Sequence, residues 1–282
     1  MLVTLKEILN EANKKNYAVP AFDVVEHVSA EAVVRAAEAQ NRPVILMVPE
    51  ATFLLIDVKT FFAFLAWLAQ AASVPVALQL DHGLSLAGIQ TALDNGFTSV
   101  MIDGSALPLE ENIALTKQAV EMAHAVGASV EAEIGHVAGG EGAFEGSEVD
   151  ESMYTNPDEA EYFARATGVD ALAVAVGTVH GVYRGDPKLD FDRLAEIKRR
   201  VGLPLVLHGG SGVSDEEFAK AIKGGINKIN IFTEISFAAL KKSIDFANEC
   251  NLKLHFAQLL FAGKQEVFDI SADYLTKFGE KD

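Results

Sequence analysis

The segment PLVLHGGSGVSDEEFAKAIKGGINKINIFTE, residues 204–234, leads from one apolar run through an amphipathic helix to a second apolar run. The two runs are Pro204–Leu207 and Lys228–Ile231, and Ser214 with its acidic followers is typical of an N-cap before a helix at Asp215–Lys223. Runs that are apolar on both faces indicate parallel strands covered by helices.

The same strand–helix pattern repeats along the chain at roughly thirty-residue spacing, as βα units do. Eight units predict a (β/α)8 TIM barrel, and a doubly wound open sheet is the alternative. We expect an additional helix before the barrel at Thr4–Asn16 and another after it at about Leu259–Phe278. The predicted strands are Tyr17–Val24, Pro43–Val48, Pro75–Leu80, Ser99–Ile102, Ser129–Ile134, Ala171–Val176, Pro204–Leu207 and Lys228–Ile231, with helices such as Ala30–Gln40, Glu110–Ala125, Asp190–Arg200 and Asp215–Lys223 between them.

Length and charge limit the classes of protein to which the chain can belong. Its 282 residues are half hydrophobic and contain no Gly/Ser/Pro-rich linker, so we expect a single domain over residues 1–282. The formal net charge of −17, from 40 acidic and 23 basic side chains, argues against a nucleic-acid or membrane partner. An anionic substrate would therefore need a local positive site, such as a metal ion or a helix N-terminus.

Three further features bear on location. Cys250 is the one cysteine, so no internal disulfide can form. The first fifteen residues lack the apolar core of a secretory signal, and the cytoplasm is the expected compartment. The apolar segment Phe61–Ala72 is too short to cross a bilayer, and we interpret it as a buried or subunit-facing helix.

Reactive side chains gather after the apolar runs, at the ends where barrel enzymes carry their active sites. No comparable cluster precedes the runs, and this one-sided accumulation indicates an enzyme. The residues concerned are Asp81, His82, Asp103, Glu131, Glu133, His136, Glu141, His180, His208, Asn230, Thr233 and Glu234.

Three histidines, His82, His180 and His208, each precede a glycine at the end of a different predicted strand. A single histidine at a strand end is more often structural, but three at one rim beside carboxylates favour a catalytic zinc site. His136 lies at the same rim but lacks the pattern, and we leave it out of the predicted site.

Two glycine-rich loops have different predicted uses. In residues 208–212 (HGGSG), small residues let backbone N–H groups approach an anion, and phosphate sites are common after the last two strands of this barrel. The longer loop 135–146 contains Glu141 and is either a surface loop or a lid that carries an acid or base.

These motifs resemble the class II, zinc-dependent family of fructose-bisphosphate and tagatose-bisphosphate aldolases over nearly the whole chain. The strings that carry the resemblance are LDHG (80–83), GFTSVMIDGS (96–105), ENIALTK (111–117), VEAEIGHVAGGE (130–141), VGTVHGVYRGDPKLDF (176–191), PLVLHGGSG (204–212) and KINIFTE (228–234).

The resemblance implies reversible aldol cleavage that yields or uses dihydroxyacetone phosphate. It also implies that the enzyme is a homodimer or a homotetramer. Asp81 would exchange a proton with the aldehyde oxygen, and Glu141 would do so at the reacting carbon. Asp103 and Glu133 match positions that bind a second or displaced metal, or they orient the histidines instead. Zinc would bind His82, His180 and His208, with a monovalent cation as a further option, and the ketose phosphate would bind Gly181, Gly209, Gly210, Ser211, Asn230 and Thr233.

The chain departs from the family pattern at Asp23, Pro49, Phe232 and Gln258, which we expect near the aldehyde half of the site. In the family, an Arg from the neighbouring subunit holds the second phosphate. Gln258 aligns with this Arg, and Asp23 replaces an Asn. We therefore predict an aldehyde other than glyceraldehyde 3-phosphate, unless a basic side chain such as Lys264 replaces the Arg.

Other functions would suit the same fold. A Schiff-base aldolase needs a buried lysine near a strand end, which the sixth run lacks, and Lys228 begins the eighth run at the wrong end. A metal-dependent hydrolase leaves the phosphate loops unexplained. A catalytically silent sugar-phosphate-binding barrel would not need Asp81, the three histidines and Glu141 together.

Overall fold

The computed structural model describes residues 1–139, 151–185 and 187–280 and contains a closed barrel of eight parallel strands. Each barrel strand pairs with the next along the chain, and β9 pairs back with β2, which excludes the open sheet. A short additional strand, β1, pairs with β4 outside the ring. The strands are β1 (Leu2–Val3), β2 (Val19–Asp23), β3 (Val44–Pro49), β4 (Val76–Gly83), β5 (Ser99–Ile102), β6 (Ser129–Ile134), β7 (Ala171–Val174), β8 (Leu205–Leu207) and β9 (Ile226–Ile231).

Helices surround this barrel, and the expected N-caps are present. The Asn156 side chain accepts from the backbone N–H groups of Asp158 and Glu159, and Ser214 accepts from Glu217. The helices are α1 (Leu5–Lys15), α2 (His27–Gln40), α3 (Val58–Ala71), α4 (Leu86–Asp94), α5 (Leu109–Ala125), α6 (Pro157–Thr167), α7 (Phe191–Val201), α8 (Asp215–Lys223), α9 (Thr233–Glu249), α10 (Phe256–Ala262) and α11 (Lys264–Phe278).

Side chains along each strand point alternately into the interior of the barrel and toward the surrounding helices. In β2, Val19 and Ala21 join the interior core, whereas Phe22 packs in the outer layer. Helix α1 contributes Leu5 and Leu9 to the interior core and thereby covers the amino-terminal end of the barrel. The reactive side chains continue the interior rows at the opposite end, as Asp23 does after Val19 and Ala21.

The ends of the chain differ in detail from the expectation. Helix α1 lies within the predicted Thr4–Asn16, with a capping box at Thr4 and a left-handed C-cap at Asn16. The single C-terminal helix expected at Leu259–Phe278 is instead two helices, α10 and α11, that meet at Gly263. None of the helices described is both long and apolar enough to cross a membrane.

The apolar helix α3 packs mainly on its own barrel. Phe61, Phe62 and Leu65 are buried there, and Trp67 is the large side chain that stays 63% exposed. Of the two interpretations, a buried or a subunit-facing helix, the structure shows the first for this apolar face, which packs against β4 and the neighbouring helix α2.

Candidate active site

Three histidine side chains converge at the carboxyl-terminal rim of the barrel. His82 ends β4, His208 follows β8, and His180 follows β7. One ring nitrogen from each lies within 4.8 Å of the corresponding atoms of the others, and the closest pair is Nε2 of His82 and Nδ1 of His208, at 3.0 Å. The structure therefore brings together all three histidines that the sequence singled out.

A local irregularity of β4 aims His82 at this cluster. The register between β4 and β5 shifts between Leu80 and Gly83, and His82 has a positive φ of 41°, which costs a non-glycine residue of order 1–3 kcal/mol. Its Nδ1 donates to Asp103 Oδ2 at 2.8 Å. Burial opposes ionisation, but the hydrogen bonds from His82 and Ser105 hold the pKa of Asp103 well below its ordinary value.

A buried carboxylate fixes the ring of His208 in the same way. Nε2 donates to Glu131 Oε1 at 2.9 Å, and Oε2 of Glu131 accepts from Lys228 Nζ at 2.8 Å and from Gln79 Nε2 at 2.9 Å. Burial alone would raise the pKa of Glu131, but the Lys228 charge and the His208 contact lower it to about 2. Glu131 is therefore ionised and can only accept, so the bond uses the N–H at Nε2 of His208 and leaves Nδ1 facing the cluster.

Backbone contacts between neighbouring loops hold His180. Its N–H donates to the carbonyl of Ala138 at 2.8 Å, and Tyr183 Oη donates to the carbonyl of Gly209 at 2.7 Å. Gly209 has a φ of 65°, and a Cβ there would lie 2.2 Å from the carbonyl oxygen of Val179, so only glycine fits this crossing. The loop after β8 is thus fixed against the loop that carries His180.

The cluster has the chemistry of a metal site. Asp103 and Glu131 can only accept, so the neutral forms of His82 and His208 would direct lone pairs at each other across 3.0 Å, an arrangement that a bound cation would stabilise. Nε2 of His180 is buried without a hydrogen-bond partner among the described residues. Burial, with the neighbouring His82 and His208, lowers the pKa of His180 well below its usual value, and neutral imidazole is the form that binds metals.

A second group of potential ligands overlaps the first. One atom each of His82, Asp103 and Glu133 lies within 4.8 Å of the others. Glu133 Oε1 accepts from the N–H of Val137 at 3.0 Å, and Oε2 lies 3.8 Å from Nδ1 of His208. Burial and the charge of Asp103 raise the pKa of Glu133. Of Asp103 and Glu133, only Asp103 lies within hydrogen-bond distance of a histidine ring and orients it.

A first cavity adjoins the cluster at His180, and backbone-rich loops form its wall. Six of its lining residues were expected in the metal or phosphate site, and Asp23 and Phe232 are the others. Gly210 is not among the lining residues, and its N–H donates to the carbonyl of Asn230 at 3.1 Å. The lining residues are Asp23, His180, Gly181, Gly209, Ser211, Asn230, Phe232 and Thr233.

Two buried carboxyls lie at the base of the site. Asp81 is fully buried, and Nδ2 of Asn230 donates to its Oδ1 at 3.4 Å. Asp23 is also buried, and neither of its carboxyl oxygens has a hydrogen-bond partner among the described residues. Burial and the charge of Asp81 raise the pKa of Asp23 well above its ordinary value.

A second cavity of about 280 Å³ adjoins the histidines. No lysine or arginine is among the described residues that line it, whereas Asp103, Glu133 and His136 are. The other described lining residues, apart from His82 and His180, are small or apolar and include Pro49. His180 lines both cavities, so both adjoin the histidine cluster.

Known proteins share this architecture and its sequence. Residues 3–282 match the sequence model described as fructose-bisphosphate aldolase class-II. The chain belongs to the class II fructose-bisphosphate aldolase family. Over 243 residues it is 45% identical to the fructose-bisphosphate aldolase of Geobacillus stearothermophilus, covering 85% of this chain and 84% of that one. The Staphylococcus aureus (strain Mu50) enzyme is 43% identical over 250 residues, with 88% and 86% covered.

Solved structures agree with this assignment. The YdjI aldolase of Escherichia coli K12 superposes with a TM-score of 0.88 at 36% identity, covering 99% of this chain and 98% of that one. A putative fructose-1,6-bisphosphate aldolase from Coccidioides immitis gives a TM-score of 0.83 at 31% identity, covering 98% and 96%. The predicted family, barrel and lyase class are confirmed, and neither the hydrolase nor the silent binding protein is favoured.

Several features of this class II aldolase differ from the predictions made from the sequence, or were not predicted. Asp23 and Phe232 line the cavity of the glycine loops, not the one beside Pro49. The buried pair of Lys228 and Glu131 was not predicted as support for His208, because no local motif links strands so far apart in sequence. Glu141, on the glycine-rich loop, lies outside the described residues.

The side chains weighed for the second phosphate or for Schiff-base chemistry have hydrogen-bond or ion-pair partners outside the two cavities. Lys264 Nζ lies 2.6 Å from Glu31 Oε2. Gln258 Oε1 accepts from the N–H of His255 at the start of α10, at 2.9 Å. Lys228, the lysine weighed for Schiff-base chemistry, is buried in its ion pair with Glu131.

Proposed function

We propose that this class II aldolase is a zinc enzyme that cleaves a ketose 1-phosphate into dihydroxyacetone phosphate and an aldehyde that lacks a phosphate. The observation that carries the proposal is the trio of His82, His180 and His208, which adjoins two differently lined cavities. Neither cavity has a lysine or arginine among its described lining residues, but the first has the glycine loops of an anion site, whereas the second has the carboxyls of Asp103 and Glu133.

His82, His180 and His208 are the proposed ligands, and three imidazoles are a donor set of catalytic zinc. Zinc bound there would act as a Lewis acid toward the ketose carbonyl. Asp103 and Glu131 hold two of the rings in the tautomers that ligation requires. The overlapping group of His82, Asp103 and Glu133 supports a second or displaced metal position as a further part of the proposal, with a monovalent cation as another option.

The first cavity is the proposed site of the ketose phosphate. Thr233 begins the seventeen-residue helix α9, and a helix N-terminus attracts anions. Ser211 Oγ accepts from the N–H of Glu234 at 3.2 Å, which fixes the glycine loop against this helix end. Gly181, Gly209, Ser211, Asn230 and Thr233 are the proposed contacts, and Gly210 contributes by close packing, since its N–H is already bonded.

Two carboxyls are proposed for the proton transfers. Asp81 lies beside the histidine cluster, with its Oδ2 3.8 Å from Nε2 of His82, and would exchange a proton with the aldehyde oxygen. Glu141 would exchange the proton at the carbon that becomes nucleophilic, a role that stays a prediction of the sequence.

The proposal of an unphosphorylated aldehyde rests on the second cavity. A phosphomonoester carries about two negative charges near neutral pH, and Asp103 is ionised in this wall with no described lysine or arginine to balance it. Lys264 and Gln258 have other partners, as described above. Asp23 does not line this cavity, so the composition of the cavity wall takes its place in the argument.

Comparing kcat/KM for fructose 1-phosphate, fructose 1,6-bisphosphate and tagatose 1,6-bisphosphate tests this proposal. We expect the monophosphate to be cleaved at least as efficiently as either bisphosphate. The wild-type protein reconstituted with zinc is used throughout, and each product mixture is assayed for dihydroxyacetone phosphate. Cleavage of either bisphosphate about a hundred times more efficiently, which corresponds to about 2.7 kcal/mol, would mean that the second phosphate is recognised.

A homodimer or homotetramer is also proposed. Large apolar side chains stay exposed on α9 and α10, two helices that pack against each other and carry Gln258, the position expected to face a neighbouring subunit. Light scattering at micromolar concentration should give at least twice the mass of the chain, and Phe261→Asp should reduce it. A wild type that is purely monomeric would contradict the proposal. The exposed residues are Leu240, Ile244, Phe256, Leu260 and Phe261.

The cytoplasmic location stays a prediction of the sequence, as does the single domain over residues 1–282.

A further inference from the structure

The second cavity contains a histidine that the mechanism above does not use. His136 lies in the wall with His82 and His180, and it is half-buried. If the proposed function is correct, the ketose phosphate fills the first cavity, and the aldehyde half must extend into the second. The polar groups of this wall then meet the substituents of the aldehyde.

Two hydrogen bonds hold His136 in place. Its backbone N–H donates to the carbonyl of Met153 at 2.9 Å, and its Nδ1 lies 2.9 Å from Ser105 Oγ. The N–H of Ser105 donates to Oδ1 of Asp103 at 3.0 Å, and Asp103 in turn accepts from His82. The ring of His136 is thus connected through two side chains to a proposed metal ligand, which fixes its position relative to the reacting groups.

The opposite nitrogen of the ring, Nε2, makes no hydrogen bond within the described part of the chain. Among the described residues, the other polar side chains of this wall are the carboxyls of Asp103 and Glu133 and the rings of His82 and His180, all of which belong to the candidate metal groups. The wall beyond them is apolar, formed by Pro49, Ala51 and Leu84 among others. A substrate hydroxyl there would find Nε2 of His136 as a partner outside the metal site.

We infer that His136 is a specificity-determining residue that hydrogen-bonds a hydroxyl group of the aldehyde half. A hydroxyl both donates and accepts, so the contact forms with either tautomer of the ring. The ligand class is therefore a hydroxylated, unphosphorylated aldehyde. A site built to bond a hydroxyl discriminates strongly against the analogue that lacks it, because its own polar group is then left unpaired in the complex.

The test measures kcat/KM for condensation of dihydroxyacetone phosphate with glyceraldehyde and with propanal, two aldehydes that differ only in hydroxyl groups. For the zinc-loaded wild type we expect a preference for glyceraldehyde. In His136→Phe the ratio of the two values should fall about 10- to 100-fold, as expected for one lost hydrogen bond to a desolvated group. His136→Gln, which keeps a polar terminus, should restore part of the ratio.

His124→Phe is the matched control, because His124 is an exposed residue of α5 and does not line the cavity. Its glyceraldehyde-to-propanal ratio should equal that of the wild type. Zinc content and the KM for dihydroxyacetone phosphate, measured for every variant, show whether His136→Phe has disturbed the metal or the ketose site instead.

The outcomes separate the inference from the proposed function. If the wild type condenses both aldehydes but His136→Phe leaves their ratio unchanged, or lowers both values equally, the inference is wrong and the proposed function stands. If the zinc-loaded wild type condenses neither aldehyde with dihydroxyacetone phosphate, the proposed function fails and the inference fails with it.

Discussion

The His208→Ala variant is expected to lose its bound zinc and to lose at least about 10³-fold in turnover, because polarisation of a carbonyl by a metal is worth several kcal/mol. His208 is fully buried, and Glu131 holds its ring so that Nδ1 faces His82. No other described histidine lies close enough to substitute for it in the cluster. Metal analysis of the purified variant, alongside the turnover assay, measures both losses.

The exposed His124 on α5 provides the control for this experiment. His124→Ala should retain about one zinc per chain and wild-type turnover, although the bond of its Nε2 to Asp170 is lost. Full zinc occupancy in the His208→Ala protein would remove His208 from the set of ligands. Both outcomes, loss of zinc and full zinc occupancy, are interpreted only for a variant that circular dichroism shows to be folded.

The second large effect is expected at Asp81. Asp81→Ala should keep its zinc but lose roughly 10²–10⁴-fold in kcat, the range typical of a general acid–base. Asp81 is fully buried in the interior of the barrel, with its Oδ2 3.8 Å from Nε2 of His82. Metal content and kcat are measured on the same preparation.

The near-isosteric Asp81→Asn separates proton transfer from simple packing. Its amide oxygen can still accept from Nδ2 of Asn230, which donates to Asp81 at 3.4 Å in the native protein. We expect this variant to be as inactive as Asp81→Ala. Substantial activity in Asp81→Asn would mean that Asp81 supports the site by hydrogen bonding and that another group moves the proton.

The barrel was predictable because its signals are local and repeated. Each apolar run and each amphipathic helix can be recognised alone, and Asn156 and Ser214 mark helix starts by their own chemistry. The break between α10 and α11 was missed because Gly263 is a single residue within a continuous apolar pattern. The two-residue strand β1 offers no periodicity from which it could be inferred.

The site was predictable where a residue follows its strand directly, as His82, His180 and His208 do. The supporting groups could not be found in this way. Glu131 and Lys228 are 97 positions apart, and only closure of the barrel brings their side chains together. His136 differs from the three clustered histidines in that a valine, not a glycine, follows it, so it had no motif to mark it.

Asp23 shows what the sequence could not place. Its departure from the family pattern is plain in the sequence, and we expected it near the aldehyde half of the site. It lines the cavity of the glycine loops instead, where burial and the neighbouring Asp81 raise its pKa. The cavity that a side chain lines, and the pKa of a carboxyl, depend on surroundings that only the folded chain defines.

Release of dihydroxyacetone phosphate by the wild-type protein tests the central claim most directly. The ketose phosphate that is cleaved fastest is assayed after dialysis against a chelator, after zinc is returned, and after borohydride treatment with substrate present. We predict that activity falls below about one per cent without metal, recovers with one zinc per chain, and resists borohydride. Full activity in the chelator, with inactivation by borohydride, would contradict the account and indicate a Schiff-base lysine.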